Sequence, residues 1–112
     1  MAKAKSKKQI QFRSADAVAE TLKATIEAED FDSFEIEFKR PSTATKIQMS
    51  MVFGSEDKAM IGQLVLDVLK ACLIGWSLSE DYTVDAIDRM EDTEILLTMF
   101  TKIAESMTAG KN

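Results

Sequence analysis

SEDKAMIGQLVLDVLKACLIGW, running from Ser55 to Trp76, is the stretch on which the reading of the whole chain turns. Ile61, Leu64, Val65, Val68, Leu69, Cys72, Leu73 and Trp76 recur at the i, i+3, i+4, i+7 spacing that lines one face of an α-helix. Ala59, Leu66, Leu73 and Ile74 form a second apolar row, leaving Gln63, Asp67 and Lys70 as a narrow polar stripe. A helix apolar round most of its circumference needs cover on several sides. Ser55 is the expected N-cap, with Glu56 and Asp57 behind it where the helix dipole favours negative charge. Asp67 and Lys70 interrupt the run, whereas a membrane span needs ~20 nearly continuous apolar residues. The stretch reads as the buried central helix of a mainly α domain, with a short strand or hairpin before it.

Upstream, Ser14 is placed to cap a helix over roughly 15–28, with Ala15, Val18, Leu22 and Ile26 on its apolar face. Phe34, Ile36 and Phe38 then alternate with Glu35, Glu37 and Lys39, the pattern of a strand with one buried face. Lys39-Arg40-Pro41-Ser42 ends it, because proline donates nothing to a ladder. Residues 43–53, TATKIQMSMVF, fit two templates. Ile47, Met49, Met51 and Phe53 alternate as in a second strand, while Ala44, Ile47, Met51 and Val52 fit a helix opened by Ser42 or Thr43. Ile10 and Phe12 carry a weak trace of an edge strand. Downstream, a short helix is expected near Thr83 to Met90. A last one, capped by Asp92 or Thr93, has Leu96, Met99, Phe100, Ile103 and Met107 inward.

At 112 residues with 46% hydrophobic content the chain is expected to form one domain over 14–108. A basic flexible tail, 1–13, precedes it and a disordered end, 109–112, follows. The net charge of −5 is unevenly placed: Lys3, Lys5, Lys7, Lys8 and Arg13 stand in a tail without acids, and the remainder holds nine basic against nineteen acidic groups. Such an acidic domain repels phosphate, so nucleic-acid binding by it is disfavoured. No apolar segment follows the N-terminal lysines as a secretory signal would require, and the expectation is a cytoplasmic protein.

Chemistry has little to work with. The chain has no histidine, which removes the usual general base and the commonest metal ligand. Its one cysteine, Cys72, cannot build a zinc site and reads as a small buried hydrophobe. Neither GxGxxG nor GxxxxGK[ST] occurs. Glu80, Asp81, Asp85, Asp88, Glu91, Asp92 and Glu94 cluster around one Arg89 but lack the D-x-[DN]-x-[DN]-G calcium loop, and read as a solvated acidic face with helix caps. No catalytic residue, cofactor or metal is expected. What remains is surplus apolar surface. Met49, Met51, Met60, Leu66, Leu73, Ile74 and Trp76 are the candidate protein-binding residues, and self-association is one way to cover them.

From about Phe34 to Met107, two thirds of the chain, the order of parts resembles the small tail assembly chaperones of long-tailed bacteriophages and prophages. FEIEFKRP leads into an uncertain segment, then a long apolar helix ending in GWSL (Gly75 to Leu78), an acidic short helix and a closing helix with Leu96, Met99 and Ile103. The resemblance implies a non-enzymatic, mainly helical, self-associating protein of the host cytoplasm. Such a protein coats the tape measure protein, helps recruit tail tube subunits and is absent from the mature virion. It also tilts 43–53 towards helix. In many such phages a frameshift near the stop codon makes a longer form, and Gly110-Lys111-Asn112 can be encoded as GGA AAA AAC, which contains a slippery run. The lysine-rich start departs from the family pattern. The competing reading is an acidic inhibitor or nucleic-acid mimic that occupies a basic host protein.

Overall fold

The computed structural model describes residues 20–109. The basic tail, the trace of an edge strand at Ile10 and Phe12, the first part of the helix expected over 15–28 and residues 110–112 therefore lie outside the described residues. What is described corrects the mainly α expectation: helix accounts for 55% and strand for 18%, in a mixed α/β arrangement of a three-stranded antiparallel sheet and four helices. In chain order these are β1 (Thr21–Ile26), β2 (Phe34–Lys39), α1 (Thr43–Gly54), α2 (Lys58–Cys72), β3 (Leu73–Trp76), α3 (Val84–Arg89) and α4 (Thr93–Ala109).

Where a helix was expected to continue to residue 28, the chain forms β1. Leu22 and Ile26 satisfy both a four-residue and a two-residue period, so the choice rested on Ala24, too small to weigh. In the sheet Leu22, Ala24 and Ile26 stand opposite Phe38, Ile36 and Phe34 of β2, while Thr21, Lys23 and Thr25 face Lys39, Glu37 and Glu35 on the polar side. β-branched threonines suit that solvated face. The two strands join through a turn in which the Phe31 amide donates to the Ala28 carbonyl (3.2 Å) and Asp30 adopts φ 73°, a left-handed conformation that aspartate tolerates better than most residues.

Phe34, Ile36 and Phe38 are buried along β2, as their alternation requires. After buried Pro41, the Ser42 hydroxyl oxygen accepts from the Thr45 amide (3.2 Å) and opens α1, so residues 43–53 are helical. The strand-like alternation there had a different cause, since α1 is apolar on two opposite sides. Thr45 and Met49 point into the protein, and Ile47 and Met51 point out.

The central helix is shorter at both ends than its apolar pattern implies. Ser55 is the C-cap residue of α1, not the N-cap of α2. Asp57 holds that place, its carboxylate accepting from the amides of Ala59 (3.1 Å) and Met60 (3.2 Å). At the other end the helix stops at Cys72, and Leu73–Trp76 becomes β3, antiparallel to β2 with Leu73 opposite Phe38 and Trp76 opposite Ile36. Residues three apart on a regular strand face opposite ways, but a register irregularity at Glu37/Phe38 puts both Leu73 and Trp76 on the buried side. Leu69, Leu73 and Trp76 thereby imitate a helical row while spanning a helix-to-strand switch. The open edge of β2 supplies ladder hydrogen bonds that a helix end lacks.

The core gathers the inner face of the sheet with Val65, Val68, Leu69 and Cys72 of α2, Ile87 of α3, and Ile95, Leu96, Met99, Phe100 and Ile103 of α4. Helix α2 packs against α1, α3 and α4, and α4 also crosses β1. Burial pushes the Cys72 thiol from its ordinary 9.0 up to about 11, against a smaller opposing pull from Lys39. The folded protein thus keeps a proton that the unfolded chain gives up, and the resulting stabilisation is whole below pH 9 and lost as pH rises. Urea titrations between pH 9 and 11 are expected to show a loss of roughly 2–3 kcal/mol from this group. Cys72→Ala removes that part and retains the alkaline contribution of Tyr82, whose hydroxyl burial also raises.

Candidate functional site

The seven residues proposed as a binding surface do not form one surface. Met49 and Leu73 lie inside the core and hold the fold. Met60, Leu66 and Trp76 are half-buried, and Leu66 and Trp76 rest against the core. Only Met51, at 44% exposure, and Ile74, at 41%, are open to solvent, on α1 and β3 respectively.

Trp76 is occupied with its own loop. Its indole N–H donates to the Glu80 carbonyl (2.7 Å), and its ring meets Tyr82 edge-on at 5.0 Å. Tyr82 in turn donates its hydroxyl hydrogen to the Leu73 carbonyl (3.0 Å). Ser77 closes the other side: its amide donates to the Glu35 carbonyl (3.0 Å) and its hydroxyl accepts from the Glu35 amide (2.9 Å). The GWSL segment is therefore a staple that ties the end of β3 to β2 and to the loop before α3. Trp76→Phe is expected to lower stability by about 1–2 kcal/mol through the lost hydrogen bond and ring area. Because the rings touch, Trp76→Ala combined with Tyr82→Ala costs less than the two separately, a difference that paired thermal melts measure.

The acidic run is partly neutralised within the fold. Arg89 is bound by Glu80 and, through Nε, by Asp85 at 2.7 Å, and these two carboxylates hold its guanidinium firmly in the charged form. Lys70 reaches Asp88 at 2.8 Å. Among the described residues no three His, Cys, Asp or Glu side chains stand where they could share a metal ion, and no helix is long and apolar enough to cross a membrane.

Among the described residues the most exposed large apolar side chains belong to α1. Ile47 is 59% exposed and lies one turn from Met51, with exposed Ala44 beside them. On a helix these three sit opposite Thr45 and Met49, the only residues that α1 buries fully. Phe53, 69% exposed, stands one turn beyond Met49 on the other side of the helix, with its ring 5.8 Å from that of Phe100 on α4. In comparisons with family models, curated proteins and solved structures, nothing matches this chain. Ile47 and Phe53 are not among the expected binding residues, because in this segment only the methionines, Met49 and Met51, are expected as contact residues. Ser42 marks the start of the helix, and the packing of Thr45 and Met49 against the rest of the domain is what turns Ile47 outward.

Proposed function

We propose that the protein is a non-enzymatic tail assembly chaperone of a long-tailed phage or prophage. In this reading it holds the tape measure protein on the outward face of α1 and helps recruit tail tube subunits. The observation that carries it is a helix apolar on both sides, one packed on α2 and the other turned to solvent through Ile47 and Met51. Exposed apolar area is unfavourable by about 25 cal/mol per Å², and a second helix laid along the row removes it from water. A long helical client with a repeating apolar stripe offers many such rows. The same face allows self-association while no client is present. The resemblance in sequence from Phe34 to Met107 is what suggests the specific client, although GWSL ends a strand and not the long helix of that pattern.

The reading places the protein in the host cytoplasm and outside the mature virion. The acidic-inhibitor alternative has weaker support, because Arg89 and Lys70 already occupy Glu80, Asp85 and Asp88. Co-expression with the tape measure protein tests the proposal. The expected result is a soluble complex of the two, little affected by salt, with no chaperone chain found by mass spectrometry in finished particles. A tape measure protein that neither the short chain nor a frameshifted extension keeps in solution would overturn it.

A further inference from the structure

On the side of the domain away from the polar face of the sheet, the β1–β2 turn meets the junction of α3 and α4 around a cleft of about 240 Å³. Buried Phe34 and Ile95 form its floor, half-buried Leu78 and Met90 its walls, and Phe31, 39% exposed, its lip. A second depression of about 330 Å³ shares Leu78, Met90 and Asp92 with the first and runs on past Trp76 to Glu80, Arg89 and Glu91. The two adjoin in a groove whose first part is lined mainly by apolar groups and whose second part is mixed. Its rim is acidic: Asp32 and Asp92 border the first depression, and Glu91 the second. None of these three carboxylates has an ion-pair partner among the described residues. Arg89, the only basic side chain among the described residues that line either depression, is taken by Glu80 and Asp85.

We propose that this groove docks a basic peptide segment of a partner protein, one that inserts a single bulky apolar side chain between Phe31 and Met90 and sets lysines or arginines against Asp32, Glu91 and Asp92. The first depression is smaller than the roughly 300–1,000 Å³ of ordinary small-molecule sites, and its size suits one leucine or phenylalanine side chain. Three carboxylates without partners around an apolar floor select the flanks of that anchor by charge and repel acidic ones. The groove also accounts for the exposure of Phe31, which the turn at Asp30 holds at its edge, 39% exposed among the described residues. The proposal is independent of the α1 surface and of the phage reading.

The test uses the isotope-labelled full chain and three synthetic peptides: Lys-Lys-Ala-Phe-Ala-Lys-Lys, the same peptide with glutamates for the lysines, and the same with alanine for phenylalanine. The lysine-flanked phenylalanine peptide is expected to move the amide resonances of Phe31, Leu78, Met90 and Ile95. Its affinity should fall roughly tenfold between about 0.05 M and about 0.5 M salt, where screening shortens the reach of the rim charges. The other two peptides should bind far more weakly. Asp32→Lys with Glu91→Lys, at exposed positions without ion pairs, is expected to weaken binding by about tenfold or more, and Phe31→Ala to do so at any salt. Absence of binding, equal binding of the glutamate peptide, resonance changes mapping elsewhere, or an unchanged affinity in the doubly reversed variant would each overturn the assignment.

Discussion

Phe38→Ala is expected to cost about 3–5 kcal/mol, a large share of the total in a domain whose stability is about 5–15 kcal/mol. Phe38 sits in the middle strand, opposite Leu22 on one side and Leu73 on the other, and is 1% exposed. Removing its ring takes contact from both neighbouring strands at once, and their backbones, held by ladder hydrogen bonds, cannot close in on the space. Ile74→Ala is the matched comparison. Ile74 lies on the outward side of β3, and its truncation is expected to cost under about 1 kcal/mol. Urea unfolding of both variants checks the pair. A loss at Ile74 as large as that at Phe38 would mean that the chain after Cys72 continues as a buried helix and that β3 does not form.

How much of this was legible depended on how many templates each stretch could satisfy. β2 was plain, because Phe34, Ile36 and Phe38 match a two-residue period and no helical one, and Pro41 sets its limit. α4 was equally plain, with Leu96, Met99, Phe100 and Ile103 at helical spacing. β1 was misread because alanine at 24 is neutral between helix and strand. β3 was misread for a tertiary reason, since Leu73 to Trp76 leaves the helix to complete an edge of β2 that the local sequence does not announce. The candidate site suffered from the same errors. A helix assumed to run through Trp76 assigns Leu73 and Ile74 to one surface, whereas the strand sends one into the core and the other to solvent. Phe31 falls between the helix expected to end at 28 and the strand expected from Phe34, so it belonged to neither and went unnoticed as the lip of a groove.

If the α1 face is the client surface, Ile47→Glu with Met51→Glu is expected to weaken capture of the tape measure protein roughly a hundredfold while leaving the fold intact. Each side chain is about half exposed, so the partner removes the remaining apolar area from water. At about 1–1.5 kcal/mol apiece the pair is worth about two powers of ten in affinity. The cost to folding stays within about 0.5–1 kcal/mol, because neither residue touches the core and glutamate is a better helix former than isoleucine. Phe53→Ala behaves differently: it loses the ring contact with Phe100 and so gives up some stability, while the Ile47–Met51 row is left in place. Since the domain is acidic, glutamate alone would confuse lost apolar contact with charge repulsion. Ile47→Lys with Met51→Lys separates them, and the same loss of capture is expected from it. Pull-down from co-expressing cells, with thermal melts of each variant alongside, reads out both quantities. Full capture by the glutamate and lysine pairs alike, or capture that added salt restores to the glutamate pair, would place the client elsewhere on the molecule.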